Sequence, residues 1–209
     1  MDFSHNFRVP SLDELARGDA PKIGECLMNL GAGVSWLTPY TFSDPSLDLA
    51  VISLRDGPEK LFANELIAKG YCPIGLADVE GRPSREGAEV VSVGYPNAVS
   101  VLAEVSLDAS LVQWASSAVS LPVFSWGRVA MRHEALPFFW ADLTIYPGNS
   151  GGPVIESDKL VGIVSAQAKV EDTRVPFAKI INASMIHELL RTQVVKDAGS
   201  TGMRKPSGT

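Results

Sequence analysis

The chain is poor in the residues that hold metal ions and disulfide frameworks: two cysteines and three histidines in 209 residues. Cys26 and Cys72 stand in unrelated contexts without ligand spacing, so they read as packing residues, with a single disulfide as the alternative. His5, His133 and His187 are too scattered for a metal centre, and no metal or other cofactor is expected. Basic clusters are also missing, and the formal net charge is −6, which argues against a nucleic-acid or anionic-membrane partner. No apolar run approaches the roughly 20 residues that a membrane helix needs. The opening "MDFSHNFRVP" has neither the basic segment nor the apolar stretch of a signal peptide. A cytoplasmic protein is therefore expected, unless the natural chain begins further upstream.

What is present is ordinary for a folded chain: 45% hydrophobic and 20% charged residues, enough for a real core in one domain or two packed lobes. Short segments rich in β-branched residues, bounded by turn formers, predict an all-β protein. "DLAVISL" (48–54), "EVVSVGYP" (89–96), "LPVFSWGRVAM" (121–131), "PVIES" (153–157) and "LVGIVSAQ" (160–167) read as strands. "RDGPEK", "EGRPSREG" and "ESDK" between them are turn chemistry. Two helices are predicted. In "SLDELARG" Ser11 and Glu14 form a capping box and Gly18 is placed to stop the helix. The second, "NASMIHELLRTQV" from 182, takes Asn182 as N-cap, with Met185, Ile186, Leu189 and Leu190 as its apolar stripe. From about residue 195 the apolar period ends, which predicts a disordered tail.

The most constrained stretch is "YPGNSGGPVIE", residues 146–156. A serine hydroxyl is a poor nucleophile until a base takes its proton and donors stabilise the oxyanion formed on attack. Glycines beside it answer the second need. Without a side chain at Gly148, its N–H and that of Ser150 can point into one small volume, and Gly148, Asn149 and Ser150 together are expected to form an oxyanion hole. Gly151 and Gly152 let a substrate approach, and Pro153 begins an anchoring strand. A plain Gly/Pro turn holding an incidental serine is the competing explanation. Gly148, Ser150 and Gly152 also satisfy the G-x-S-x-G elbow of α/β-hydrolases, with an esterase as its consequence, but that elbow leads into a helix and here a strand follows.

"ADLTIYPGNSGGPVIESDKLVGIVSAQ" resembles the nucleophile region of chymotrypsin/trypsin-like serine proteases, in particular the bacterial branch with asparagine before the serine. "PSLDLAVISL" is similar to the family's aspartate segment, and "REGAEVVSVGYP" to the strand after the linker between its two barrels. "FSWGRVAMRHEALPFFWADLTIYPGNSGGP" keeps the landmark order of the second barrel, and "VPFAKIINASMIHELL" matches the last strand and terminal helix. The resemblance spans residues 44–195. It implies a two-lobed double β-barrel with a C-terminal helix: a first barrel and linker over 1–80, a second barrel with the helix over 81–195, and a tail over 196–209. It also implies a serine endopeptidase with a His/Asp/Ser triad and an acyl-enzyme, acting on a peptide or protein.

In chain order, Ser150 is then the nucleophile and Asp48 the aspartate. Asp48 precedes Ser150 by 102 residues, near the ~93 of the chymotrypsin template; alone it would read as a turn residue, and Asp44 is the weaker alternative. His133 and His187 fall outside the required order, which leaves His5, 43 residues before Asp48 against about 45 in the template. The fold places strands before its histidine and His5 has four residues before it, so the first barrel is expected to be incomplete. A histidine upstream of Met1 is the alternative base. Ser165, Ala166 and Gln167 match the segment that aligns the substrate, and Thr144 the floor of its side-chain pocket. With no acidic residue there, the expected preference is for a small or medium uncharged side chain. The rival reading is a catalytically impaired homologue whose cleft binds a peptide or partner protein.

Overall fold

The structure, a computed structural model, describes residues 40–53, 61–96, 122–171 and 173–202. The helix expected over 11–18, His5 and Cys26 lie outside these residues. The chain divides into two units, Ile74–Met185 and a second made of Met1–Pro73 with Ile186–Thr209.

In the larger unit, six strands close into a barrel: β3 (Glu89–Gly94), β4 (Val123–Arg132), β5 (Phe138–Leu143), β6 (Pro153–Glu156), β7 (Lys159–Val170) and β8 (Thr173–Asn182). Their order round the barrel is β3-β4-β5-β8-β7-β6, and β6 pairs back onto β3 through Val91 opposite Ile155 and Ser92 opposite Val154. Period-two alternation produces this shape, because every second side chain points inward. Along β5, Phe139, Ala141 and Leu143 are buried, and along β3 Val90, Ser92 and Gly94 are. With Val129, Val154, Val161, Val164, Ala178 and Ile180 they fill the interior. Outside, Lys159 donates to Asp78 at 2.7 Å and to the Ala77 carbonyl at 3.1 Å, fixing a 3-10 turn at Leu76–Asp78. The hydrogen bond to Asp78 holds the Lys159 ammonium above its ordinary pKa.

The smaller unit contains a hairpin of β1 (Tyr40–Phe42) and β2 (Ala50–Ile52), a helix α1 (Leu61–Ala68), and most of the terminal helix α2 (Ser184–Gly202). A row of side chains ties the hairpin to α2. Buried Thr41 donates to Gln193 at 2.8 Å, Gln193 donates to Asp197 at 2.9 Å, and Ser53 donates to the other Asp197 oxygen at 2.8 Å.

Several expectations change. Asn182 does not cap the helix: it is the last residue of β8, and its amide donates to the Leu136 carbonyl at 2.9 Å, so α2 starts at Ser184. Of the expected tail, residues 195–202 are helical instead, since α2 runs to Gly202, with Asp197 held by Ser53 and Gln193; the rest of it lies outside the described residues. Most of α2 groups with the residues before Pro73, whereas the expected division placed the helix with the second barrel. Strands β3, β4, β6 and β7 are those expected, β7 being longer, and β8 is the last strand that the resemblance implied; β5 was not among the expected strands. Cys72 is exposed and free, so it is not a packing residue. Helix α1 was not expected. It closes on Gly70, whose N–H donates to the Ile67 carbonyl while that of Tyr71 donates to Leu66, the paired bonds of a Schellman end.

Candidate active site

Two successive tight turns shape the loop between β5 and β6. The Asn149 N–H donates to the Tyr146 carbonyl at 2.9 Å, and the Gly152 N–H to the Asn149 carbonyl at 2.9 Å. Each turn has a glycine third, Gly148 at φ 104° and Gly151 at φ 85°. This is the position where a type II turn requires positive φ, and Pro147 supplies the preset φ of the second position in the first turn. The spacing of proline and glycines in "YPGNSGG" is therefore the geometry of the double turn. Ser150 stands second in the second turn, exposed.

The loop is tied down behind the serine. Gly151 donates to the Val164 carbonyl at 2.8 Å, and Val164 donates back to the Gly152 carbonyl at 2.9 Å. Asn149 is 1% exposed, and its Oδ1 accepts from the Tyr146 N–H at 3.4 Å. The N–H of Asn149, a residue expected in the oxyanion hole, is engaged in the first turn. Among the described residues, the N–H groups of Gly148 and Ser150, on either side of it, donate to nothing, and both residues are exposed.

The Ser150 hydroxyl donates to the Ser165 carbonyl at 3.1 Å. Ser165 is an extra residue in β7: Val164 faces Ile180 and Ala166 faces Lys179, with a register shift between. A bulge of this kind re-aims a carbonyl beside a site. Ala166 is exposed, and half-buried Gln167 turns its amide to the Val175 carbonyl at 3.3 Å. Thr144 follows β5 and is exposed.

Asp48 lies in the smaller unit, exposed, at φ 51° just before β2. It completes the hairpin turn in which Leu47 donates to the Asp44 carbonyl and Ser43 to the Leu49 carbonyl. Aspartate tolerates this left-handed conformation better than most residues. Asp44 initiates the same turn, accepting from the Ser46 N–H at 2.8 Å. Hydrogen bonds from the Ser46 hydroxyl and then its N–H hold the Asp44 carboxyl below its ordinary pKa. His133 sits exposed in the β4–β5 turn, its Nδ1 accepting from the Ala135 N–H at 3.2 Å, and His187 lies on α2. Among the described residues no group of three His, Cys, Asp or Glu could hold a metal ion, and no helix is long and apolar enough to cross a membrane.

Residues 29–163 match the trypsin-like peptidase domain family. Asp48, Thr144 and Gly148–Ser150 fall inside that stretch, and His5 and Ser165–Gln167 fall outside it. Among curated proteins, the serine protease PepD of Mycobacterium tuberculosis is 28% identical over 133 residues, 62% of this chain. The matched part is 24% of the length of PepD. Among solved structures, an inactive serine-to-alanine mutant of the M. tuberculosis protein Rv3671c is similar with a TM-score of 0.44 at 17% identity, covering 79% of this chain and 65% of that one. The HtrA-type protease AlgW, solved with a decapeptide, gives 0.43 at 21% identity, covering 73% and 38%.

Proposed function

Since the chain belongs to the family of trypsin-like peptidase domains, we propose that it hydrolyses peptide bonds through an acyl-enzyme on Ser150. The observation that carries this reading is the pair of N–H groups at the exposed residues Gly148 and Ser150, unbonded among the described residues, beside the serine hydroxyl. Held by two turns and the ties to β7, they need no reorganisation to receive the charge that develops on a substrate carbonyl. His5 takes the serine proton as general base and returns it to the leaving amine, and Asp48 orients the imidazole. Water then releases the acyl group by the same steps in reverse order.

The Ser165 carbonyl has two parts in this scheme. In the free protein it accepts the Ser150 hydroxyl, and in the complex it accepts an N–H of the substrate, which frees the hydroxyl to face its base. Thr144, Ala166 and Gln167 line the side-chain pocket. None is charged, so a peptide library should be cut best after small or medium uncharged residues; best cleavage after Lys or Arg would refute this assignment.

A second reading rests on the same hydrogen bond. A carbonyl oxygen cannot take the Ser150 proton, so a protein in which this arrangement persists would bind peptides without cutting them. A fluorophosphonate probe separates the two readings. The peptidase should be labelled at Ser150 and lose labelling at least about 100-fold in His5→Ala, within the contribution of a general base. Well-folded protein that resists the probe would be a binding module, and full labelling of His5→Ala would dismiss His5 as the base.

A further inference from the structure

Gly94 ends β3 beneath the nucleophile loop and is buried. A Cβ on Gly94 would lie 2.7 Å from Nδ2, 2.8 Å from Cγ and 3.0 Å from Cα of Asn149. Ordinary carbon contacts are about 3.5 to 4.0 Å, so the loop occupies the place of the missing side chain. One residue earlier the approach is equally close: a Cβ on Gly152 would meet the Val93 carbonyl oxygen at 2.6 Å. The end of β3 is thus a floor on which both halves of the double turn rest. Pairing of Val91 and Ser92 with Ile155 and Val154 fixes that floor to the strand that leaves the loop.

Asn149 is costly where it is. Its Nδ2 is buried and has no hydrogen-bond partner among the described residues, which lowers stability. An apolar residue would fill the site without an unpaired Nδ2 but would take the Asn149 Oδ1 from the Tyr146 N–H, so what the amide supplies is a tie within the loop. What Asn149 does is shape the loop, through its N–H and Oδ1 on Tyr146 and its carbonyl on Gly152.

We propose that Gly94 and Asn149 form a seat that positions the nucleophile: the bare α-carbon of Gly94 receives the Asn149 side chain, and that seating turns the N–H groups of Gly148 and Ser150 outward. The proposal rests on the reading of Ser150 as nucleophile. Gly94 and Asn149 are positioning residues, since neither touches substrate. Oxyanion donors act over a range of about 2.7 to 3.1 Å. A methyl group at Gly94 must push both the side chain and the Cα of Asn149 by several tenths of an ångström. That displacement is comparable with the whole working range of the donors.

The test compares wild type, Gly94→Ala, Asn149→Ala and the double variant by the amide resonances of Gly148 and Ser150, the fluorophosphonate labelling rate, and kcat and KM on a peptide. In Gly94→Ala the two resonances should move and labelling and kcat should fall about 10- to 100-fold, the scale of sub-ångström to ångström misplacement, with KM nearly unchanged. Adding Asn149→Ala removes the colliding Nδ2 and Cγ and should restore part of the lost rate. Resonances that stay in place, or a double variant no faster than Gly94→Ala, would overturn the seat. Should Gly94→Ala not fold, Asn149→Ala decides by itself: kcat must fall with KM kept, and an unchanged kcat overturns the proposal. A wild type whose Ser150 resists the probe sinks the peptidase reading, while the resonances of Gly94→Ala still judge the seat.

Discussion

Replacing Ser150 with alanine is expected to lower kcat on peptides by about 10⁶-fold, the loss seen when a triad nucleophile is removed, while the barrel melts at its wild-type temperature. The two effects separate because of where the residue sits. Ser150 is exposed, and among the described residues its side chain makes one hydrogen bond, to the Ser165 carbonyl. Surface substitutions of this kind change stability by no more than about 0.5 kcal/mol. Backbone N–H groups at 148 and 150 survive the change, so on the proposed reading the residual rate reports these two donors alone and peptide binding should persist. Steady-state kinetics beside a thermal melt check both halves. A variant that keeps more than a hundredth of wild-type turnover would show that another group is the nucleophile.

The largest effect on stability should come from Phe139→Ala, about 3 to 5 kcal/mol in the barrel, read as a shift in the chemical denaturation midpoint. Phe139 is 0% exposed and stands at the centre of the interior. Its ring edge lies 3.0 Å from the point where Gly162 would carry a Cβ, so an aromatic ring on β5 fills space that a glycine on β7 leaves. Truncation opens a cavity that the closed sheet cannot collapse, since each strand is hydrogen-bonded on both sides. Adding Gly162→Ala will not refill it: the new methyl would also meet the Ile181 carbonyl oxygen at 2.7 Å, which is backbone and cannot rotate away. Phe138→Ala is the control. Its half-buried ring packs edge-on to Trp140 at 5.9 Å with Lys179 above it, and its loss should cost much less. Equal losses for the two phenylalanines would refute this account of the core.

These contrasts show which parts of the protein are legible in its sequence. Strands β3, β4, β6 and β7 could be read because alternation and flanking turn residues are local signals. The double turn could be read because Pro147, Gly148 and Gly151 carry backbone demands that other residues meet poorly. Helix α1 escaped, since "LFANELIA" has no strong apolar period; its one clear local signal was Gly70 after its end. Asn182 and the stretch after 195 were misread because their partners, Leu136 and Ser53, are remote in sequence. The same holds in the site. The turn residues around Ser150 stand out locally, whereas the bulge at Ser165 and the contact of Gly94 with Asn149 exist only once the barrel closes. "VGYP" did mark a glycine at a strand end, a signal for close approach that pointed to no partner.

The row of hydrogen bonds between the hairpin and α2 also sets an order of events during synthesis. Thr41 meets Gln193 across 152 residues and Ser53 meets Asp197 across 144. At roughly 5 to 20 residues per second, the ribosome finishes the hairpin many seconds before it makes the helix that secures it. Residues Ile74–Met185 emerge in between. The barrel bearing Ser150 can therefore assemble while the chain is still growing, but the hairpin bearing Asp48 gains these ties only after α2 has emerged. Translation itself thus delays completion of the Asp48 unit until α2 has been made.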